Sequence, residues 1–329
     1  MIPTVSVIIP VYNGERTIRE TIKAALDQDF TDFELIIVND GSQDSTLEAV
    51  SSFIDPRIHV FSYPNAGSSA SRNRGFSHSC GRYVAFLDAD DLWTADKLSQ
   101  QLKALESHPK AAVAYSWTNL IDESSKLVRT GSRIKVTGNV YPNLLAANFL
   151  ESGSNALICR HAFVEVGGFD ESLSGGEDWD LWLRLSKHYD FVAVSYPHVL
   201  YRLSAYSAST NVLQIETDCL RVIDRAFYKA PDSLQNLKKC SMSNLYKYLT
   251  CRALEGHPAR VRSFLAAQYL LKAVWYSPNL LFSKAVIKVL LKVILLSILP
   301  SKKFQLLSTK YKKTFNTSSL LNQIQVQNL

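Results

Sequence analysis

The sequence is short of the devices that staple, anchor or punctuate many folds, and each shortage narrows the reading. Its five cysteines (Cys80, Cys159, Cys219, Cys240, Cys251) are scattered, with no Cys-x-x-Cys pair and no metal-finger spacing. An odd, dispersed set of thiols suits a reducing compartment better than a disulfide framework. Met1-Ile2-Pro3-Thr4 leads straight into an apolar run, without the basic, apolar, small-residue order of a signal peptide, so a cytoplasmic chain is expected. No Gly-x-Gly-x-x-Gly follows the first apolar run, where the turn reads Pro10-Val11-Tyr12-Asn13-Gly14. That removes a dinucleotide-binding dehydrogenase. Internal repeats and low-complexity tracts are missing as well.

Acidic residues are scarce in one region only. Residues 217–329 hold 4 Asp+Glu against 18 Lys+Arg, a net charge of +14, whereas residues 1–216 hold 26 against 18, a net of −8. A basic third on an acidic body implies an anionic surface as partner. The residues between those basic positions are Leu, Ile and Val rather than polar or stacking groups, so a membrane surface is favoured and nucleic acid is not.

What is present is a regular alternation of apolar strands and helical segments. Val5–Ile9, Glu34–Val38, Ile58–Phe61 and Tyr83–Leu87 read as strands, the first ending at Pro10. Helical spacing is seen over 14–29, from Ser42 or Asp44 to about Phe53, and over 68–79. Near-continuous apolar strands alternating with helices predict an α/β fold whose mostly parallel sheet is covered on both faces. From about Trp93 to Tyr201 the pattern loosens. It contains a helix Asp96–Ser107, a strand near 111–117, a polar loop near 122–139 and a helix from Asp178 to about His188. After residue 212 the chain reads helical. Two regions are therefore expected, residues 1–216 and 217–329.

In an open parallel sheet, ligands bind beyond the carboxyl ends of the strands. Three strands here end in polar clusters: Pro10-Val11-Tyr12-Asn13, Asn39-Asp40-Gly41-Ser42 and Asp88-Ala89-Asp90-Asp91. Each of the first two is equally well an ordinary turn. The third gathers like charges that repel unless a cation sits among them. Hard carboxylate oxygens suit Mg²⁺ or Mn²⁺ shared with a diphosphate; the plainer alternative is an acidic helix start capped by Asp91. Glu177-Asp178, after Gly175-Gly176, supplies adjacent carboxylates at another helix start, where acids are favoured by the helix dipole whatever else they do.

Six segments in order resemble the family-2 glycosyltransferases of the GT-A fold: VSVIIPVYNGE (5–15), ELIIVNDGSQDST (34–46), NAGSSASRNRG (65–75), YVAFLDADD (83–91), VGGFDESLSGGEDWDLWLRL (166–185) and VLYR (199–202). The resemblance runs from Val5 to about Ser209 and implies an inverting, metal-dependent transferase. It would move a sugar from a nucleotide diphosphate, usually UDP, to an acceptor hydroxyl in cell-surface polysaccharide or glycolipid assembly. Carried onto these positions, Pro10, Tyr12 and Glu15 line the nucleotide pocket and Asp40 meets the base edge. Asn65 and Arg72 contact the nucleotide, Asp88 touches ribose or metal, and Asp90 is the main ligand for Mn²⁺ or Mg²⁺. Asp178 is the general base with Glu177 as its orienting partner. Trp93, Trp179 and Trp182 are candidates to stack on sugar rings or simply to pack, with packing favoured for Trp182. Acceptor choice falls to loops around 120–150 and 204–215, which carry no readable code.

One position departs from the family pattern: Ser204 stands where many relatives have a metal-binding His after Tyr201-Arg202, with His198 as a distant substitute. This motivates a rival reading, a catalytically weak or inactive membrane-associated scaffold or sugar-nucleotide-binding protein. Retention of Asp88, Asp90, Glu177 and Asp178 argues against it.

The apolar segment Leu280–Leu299 is interrupted by Lys284, Lys288 and Lys292 at four-residue spacing, one helical stripe. Burying two lysines near a bilayer centre costs about 2.5–3.5 kcal/mol each, which cancels the apolar gain. An interfacial helix on the cytoplasmic leaflet is expected, with Lys302, Lys303, Lys310, Lys312 and Lys313 extending the patch. A spanning helix and a packing or self-association helix are the alternatives.

Overall fold

A computed structural model describes residues 2–203, 211–255 and 260–299, and beyond these only short stretches between 303 and 326. The chain divides into two compact units, residues 1–144 with 148–203, and residues 145–147 with 204–329. The boundary therefore falls at 203/204 rather than at 216, which lies inside an unbroken helix, Val212–Tyr228.

The first unit is built on one sheet. Strands β1 (Val5–Val11), β2 (Phe33–Asn39), β3 (Ile58–Ser62) and β4 (Tyr83–Phe86) lie parallel in the order β3-β2-β1-β4. Every residue of β1 and β2 is buried, as strands covered by helices on both faces must be. Each fully buried Val, Leu or Ile there contributes about 1.5–3 kcal/mol. Pro10, expected to end the first strand, sits within it opposite Val38. It is tolerated because β4 is last paired at Phe86, opposite Ile8, so no neighbour needs the N–H that proline lacks.

Helices α1 (Ile18–Leu26), α2 (Thr46–Ser51) and α3 (Ser68–His78) connect these strands, and α4 (Lys97–Ser107) follows the short strand β5 (Leu92–Trp93). The loose region proves to be the second half of the same sheet. It holds β6 (Ala111–Ile121), β7 (Leu127–Thr130), helix α5 (Tyr141–Ala146), β8 (Leu157–Cys159), helix α6 (Arg160–Glu165), helix α7 (Glu177–Ser186) and β9 (Asp190–Arg202). Strand β8 is antiparallel to both β4 and β6, β6 and β9 are parallel, and β7 folds back on β6 inside the expected polar loop. The sheet is thus parallel in its first half and mixed in its second.

In the second unit the described residues form α8 (Val212–Tyr228), α9 (Leu237–Ala253), α10 (Arg260–Tyr276) and α11 (Lys284–Ile298), with 3-10 turns at Asp232–Leu234 and Pro278–Phe282. Side-chain caps fix two of the helix starts: Asn211 accepts from Gln214 N at 3.3 Å, and Ser283 accepts from Ala285 N at 3.1 Å.

Candidate active site

The three polar clusters meet at the carboxyl ends of β1, β2 and β4, and backbone geometry sets each in place. After β1, Tyr12 is exposed and Asn13 adopts φ +51°. Asn13 N donates to Ser42 Oγ at 3.0 Å, Glu15 N donates to Asp44 Oδ2 at 3.1 Å, and Ser45 N donates to Glu15 Oε2 at 3.0 Å. These bonds close the loop after β1 onto the loop after β2. Glu15 thus serves as a loop clasp.

Asp40 is buried and ties the next loop down. Its carboxylate accepts from Ala66 N at 3.0 Å and Gly67 N at 2.9 Å, with Arg74 at 3.5 Å. Asn65, one residue before, is exposed at the same place. Gly41 has φ +77°, and a Cβ there would stand 3.0 Å from Asn65 N, so only glycine lets the two loops approach.

The acidic cluster after β4 divides its work. Arg72, fully buried on α3, donates to Asp88 Oδ1 at 2.6 Å and to Glu177 Oε1 at 3.0 Å. Its guanidinium lies 5.1 Å from the Phe169 ring centre. Burial alone would lower its pKa; the two carboxylates raise it instead. Arg72 thus reaches one carboxylate of each acidic cluster, Asp88 and Glu177, at once.

Asp91 is neither a helix cap nor an open ligand. It is wholly buried, taking Ser154 Oγ at 2.6 Å, Ser152 Oγ at 3.3 Å and Arg202 N at 3.0 Å. Ser154 Oγ also accepts from Asp88 N at 3.0 Å, and Arg202 Nε donates to Asp90 O at 2.8 Å. The peptide that presents Asp88 and Asp90 is therefore held from both sides. Burial, then Asp90 and Asp88, push the Asp91 carboxyl well up.

Asp90 has little help: its carboxylate's one hydrogen bond is to its own backbone, and burial, then Asp88, push its pKa up to about 6 against that bond and the charge of Arg202. A carboxylate that takes no donor from another residue, beside a second carboxylate, fits a hard divalent cation. Among the described residues no group of three or more His, Cys, Asp or Glu side chains forms a ready cage. Asp88 and Asp90 are the residues that could hold a divalent cation here. His198 is no substitute ligand, since its buried ring faces Asp96 at 3.6 Å. Ser204 and the loop 204–210 lie outside the described residues.

Glu177 and Asp178 open α7 after Gly176, whose φ of +71° makes the turn. Asp178 accepts from Trp179 N at 2.6 Å and from Asn148 Nδ2 at 3.3 Å. Burial, then the neighbouring Glu177, raise it to about 7, against the lowering expected at a helix N-terminus. A carboxyl that exchanges its proton near neutrality is suited to general-base work.

Two expectations are corrected. Trp93 and Trp179 are buried, their indole N–H groups spent on Ser154 O at 2.9 Å and Leu144 O at 2.8 Å. Neither ring is open to an acceptor, and both pack, as Trp182 does. The residues missed from the sequence are Asn148, Ser152, Ser154 and the inward role of Arg202. The small polar run Ser152-Gly153-Ser154-Asn155 ahead of an apolar strand was the available signal.

The model of glycosyltransferase-like family 2 matches residues 6–253. The Escherichia coli WfgD, a UDP-Glc:alpha-D-GlcNAc-diphosphoundecaprenol beta-1,3-glucosyltransferase, is 31% identical over 210 residues, 63% of this chain and 80% of that protein. An uncharacterized glycosyltransferase of Rickettsia typhi is 36% identical over 197 residues, 57% of this chain and 61% of its own length. For a Rickettsia bellii relative at 35% identity the matched share of that protein is 27%, so the chain spans well under two thirds of several relatives. Among solved structures, S. aureus TarS with UDP aligns at TM-score 0.53 and 18% identity, over 83% of this chain and 88% of that one. The Pyrobaculum calidifontis mannosyltransferase PcManGT with GDP-Man and Mn²⁺ aligns at TM-score 0.56 and 19% identity, over 98% and 88%. At these identities the structural likeness speaks for the GT-A fold alone. With a family model spanning most of its length, this chain belongs to the family-2-like glycosyltransferases.

Proposed function

We propose that the chain transfers a sugar from a UDP-sugar, with inversion, to a hydroxyl of a saccharide or lipid-linked acceptor in polysaccharide or glycolipid synthesis. The observation that carries the reading is the Arg72 bridge, one guanidinium bonded to Asp88 at 2.6 Å and to Glu177 at 3.0 Å. It holds the donor-side carboxylate and the base pair in one hydrogen-bonded unit. UDP is favoured because WfgD is named for UDP-Glc and TarS is solved with UDP and with UDP-GlcNAc; GDP-Man in PcManGT is the competing donor.

Asp178 removes the acceptor hydroxyl's proton as that oxygen bonds to the anomeric carbon. The bond from that carbon to the diphosphate oxygen breaks, and nucleoside diphosphate leaves with the electron pair. Glu177 is fixed by Arg72, and its charge raises the proton affinity of Asp178. Asp88 and Asp90 would hold Mn²⁺ or Mg²⁺, which when bound neutralises charge building on the leaving diphosphate. Asp91, Ser154 and Arg202 keep that pair aimed. Asp40 and Asn65 border the base, and exposed Tyr12 offers it a stacking face.

The test is a donor panel of UDP-Glc, UDP-GlcNAc and GDP-Man with Mn²⁺ or with EDTA, read as nucleotide release and anomeric configuration. Release from a UDP-sugar only with Mn²⁺ and an inverted product is the expected result. A retained configuration, or a preference for GDP-Man, would overturn the mechanism or the donor respectively.

A further inference from the structure

The second unit keeps its apolar and its basic residues at the surface together. One side of α11 is packed within the unit through Ala285, Val286, Val289, Val293 and Leu296. The other presents Ile287, Leu290, Leu291, Ile294 and Ile298 to solvent, spaced by three and four residues so that they form one ridge. The turn before it adds Phe282, 89% exposed. On α10, Phe264, Leu271 and Trp275 are also exposed, at seven- and four-residue spacing. Single exposed apolar residues are ordinary, whereas a continuous ridge marks a contact surface.

The lysines do not sit as the sequence spacing predicts. Lys284 is exposed and Lys288 half-buried, but Lys292 turns inward, its Nζ 3.4 Å from Leu254 O, and burial lowers its pKa. The lysine stripe borders two apolar faces, and packing of the inner one draws Lys292 in with it. The outer face is therefore an apolar ridge rimmed by charge, not a charged stripe. From residue 256 to the end there are 11 Lys+Arg and no Asp or Glu. Of these Lys303, just past the helix, is exposed.

We infer that the α11 ridge, with Phe282, docks on the surface of an anionic lipid bilayer and lies in its interface plane. Ile287, Leu291, Ile294 and Ile298 enter the acyl boundary while Lys284 and Lys303 meet headgroup phosphates. Fifteen residues reach about 22 Å as a helix, short of the roughly 30 Å of hydrocarbon. Among the described residues no helix is long and apolar enough to cross a membrane. A second copy of the chain would bring two surfaces of the same strong charge together, which disfavours self-association. An anionic bilayer satisfies both the charge and the ridge.

The experiment uses the full chain, sedimented with vesicles of phosphatidylcholine alone or with added phosphatidylglycerol. Wild type should bind the anionic vesicles and keep part of that binding in high salt, because apolar burial is not screened. The triple variant Ile287→Gln, Leu291→Gln, Ile294→Gln should bind about tenfold more weakly or worse. The pair Lys284→Glu, Lys303→Glu should lose several-fold at low salt. Phe282→Ser, at a position too exposed to affect folding, should weaken binding by itself. All three should keep the wild-type melting temperature and vesicle-free donor hydrolysis. Wild type left in the supernatant with anionic vesicles at low salt overturns the inference. So does a dimer in vesicle-free solution that the triple variant dissociates, which would make a second copy the occupant.

Discussion

The acidic cluster after β4 and the carboxylate pair opening α7 are composed alike and held differently within each. In both places neighbouring carboxylates stand at an element end, and Arg72 takes one member of each, Asp88 and Glu177. Apart from the buried Asp91, the member left over has a raised proton affinity, Asp90 at about 6 and Asp178 at about 7. Burial is the leading cause for both, and the partnered neighbour is the next. The difference lies in the remaining donors. Asp178 receives Trp179 N and Asn148 Nδ2, which aim it, whereas Asp90 receives none from another residue and is open to a cation. Carboxylates paired with Arg72 tie the two clusters together, and those outside that pairing keep a raised proton affinity.

If that division is right, the largest effect falls on the aimed carboxylate. Asp178→Asn should lower kcat by about a thousandfold, with UDP affinity by calorimetry changed less than a few-fold, since a base acts only on the acceptor. The same variant tests the proton affinity. With a folded pKa above its ordinary value, Asp178 opposes folding progressively as pH rises from about 4 to 7. The variant should therefore melt above wild type at pH 8, with the gap closing toward pH 4. Wild-type kcat/KM should fall on the acid side of about pH 7.

Asp90→Asn comes next, with a loss of about a hundredfold in turnover and, unlike Asp178→Asn, loss of the Mn²⁺-dependent part of UDP binding. Equal behaviour of the two variants in that titration would erase the distinction between the clusters. Arg72→Lys should cost roughly tenfold to a hundredfold, because a lysine cannot donate to two carboxylates in a fixed fork. Arg72→Met should lower stability by about 3–5 kcal/mol in urea melts, leaving buried charge unpaired. The smallest effect is expected from Ser154→Ala. Losing its bonds to Asp91 and Asp88 N should destabilise by about 1–3 kcal/mol and raise the Mn²⁺ requirement several-fold with maximal rate nearly kept.

Much of the first half of the sheet was legible because its parallel strands speak in short periods. Apolar runs marked β1, β2, β3 and β4, and their polar ends marked the candidate site. The second half was less legible. Strand β8 has three residues, too few for a period, and β9 hides behind Pro197 and His198 with register shifts against β6. Asp91, next to Asp90 and close to Asp88, is indistinguishable from them by residue type; only its burial against Ser154 and Arg202 separates it. The tryptophans failed for a similar reason, since an aromatic near a site reads the same whether its face is open or its indole is tied inward. In the second unit α9 is buried on nearly every side, so no amphipathic pattern announces which face packs.

The Arg72 bridge also bears on how such a site can change. Positions 72, 88 and 177 are far apart in the chain but share one guanidinium, so a replacement at any one is felt by the other two. Single substitutions among them should be strongly non-additive, the second change costing much less than the first. The three are therefore expected to change together. New specificity would be reached more easily through loop positions outside this triangle than through the carboxylates themselves.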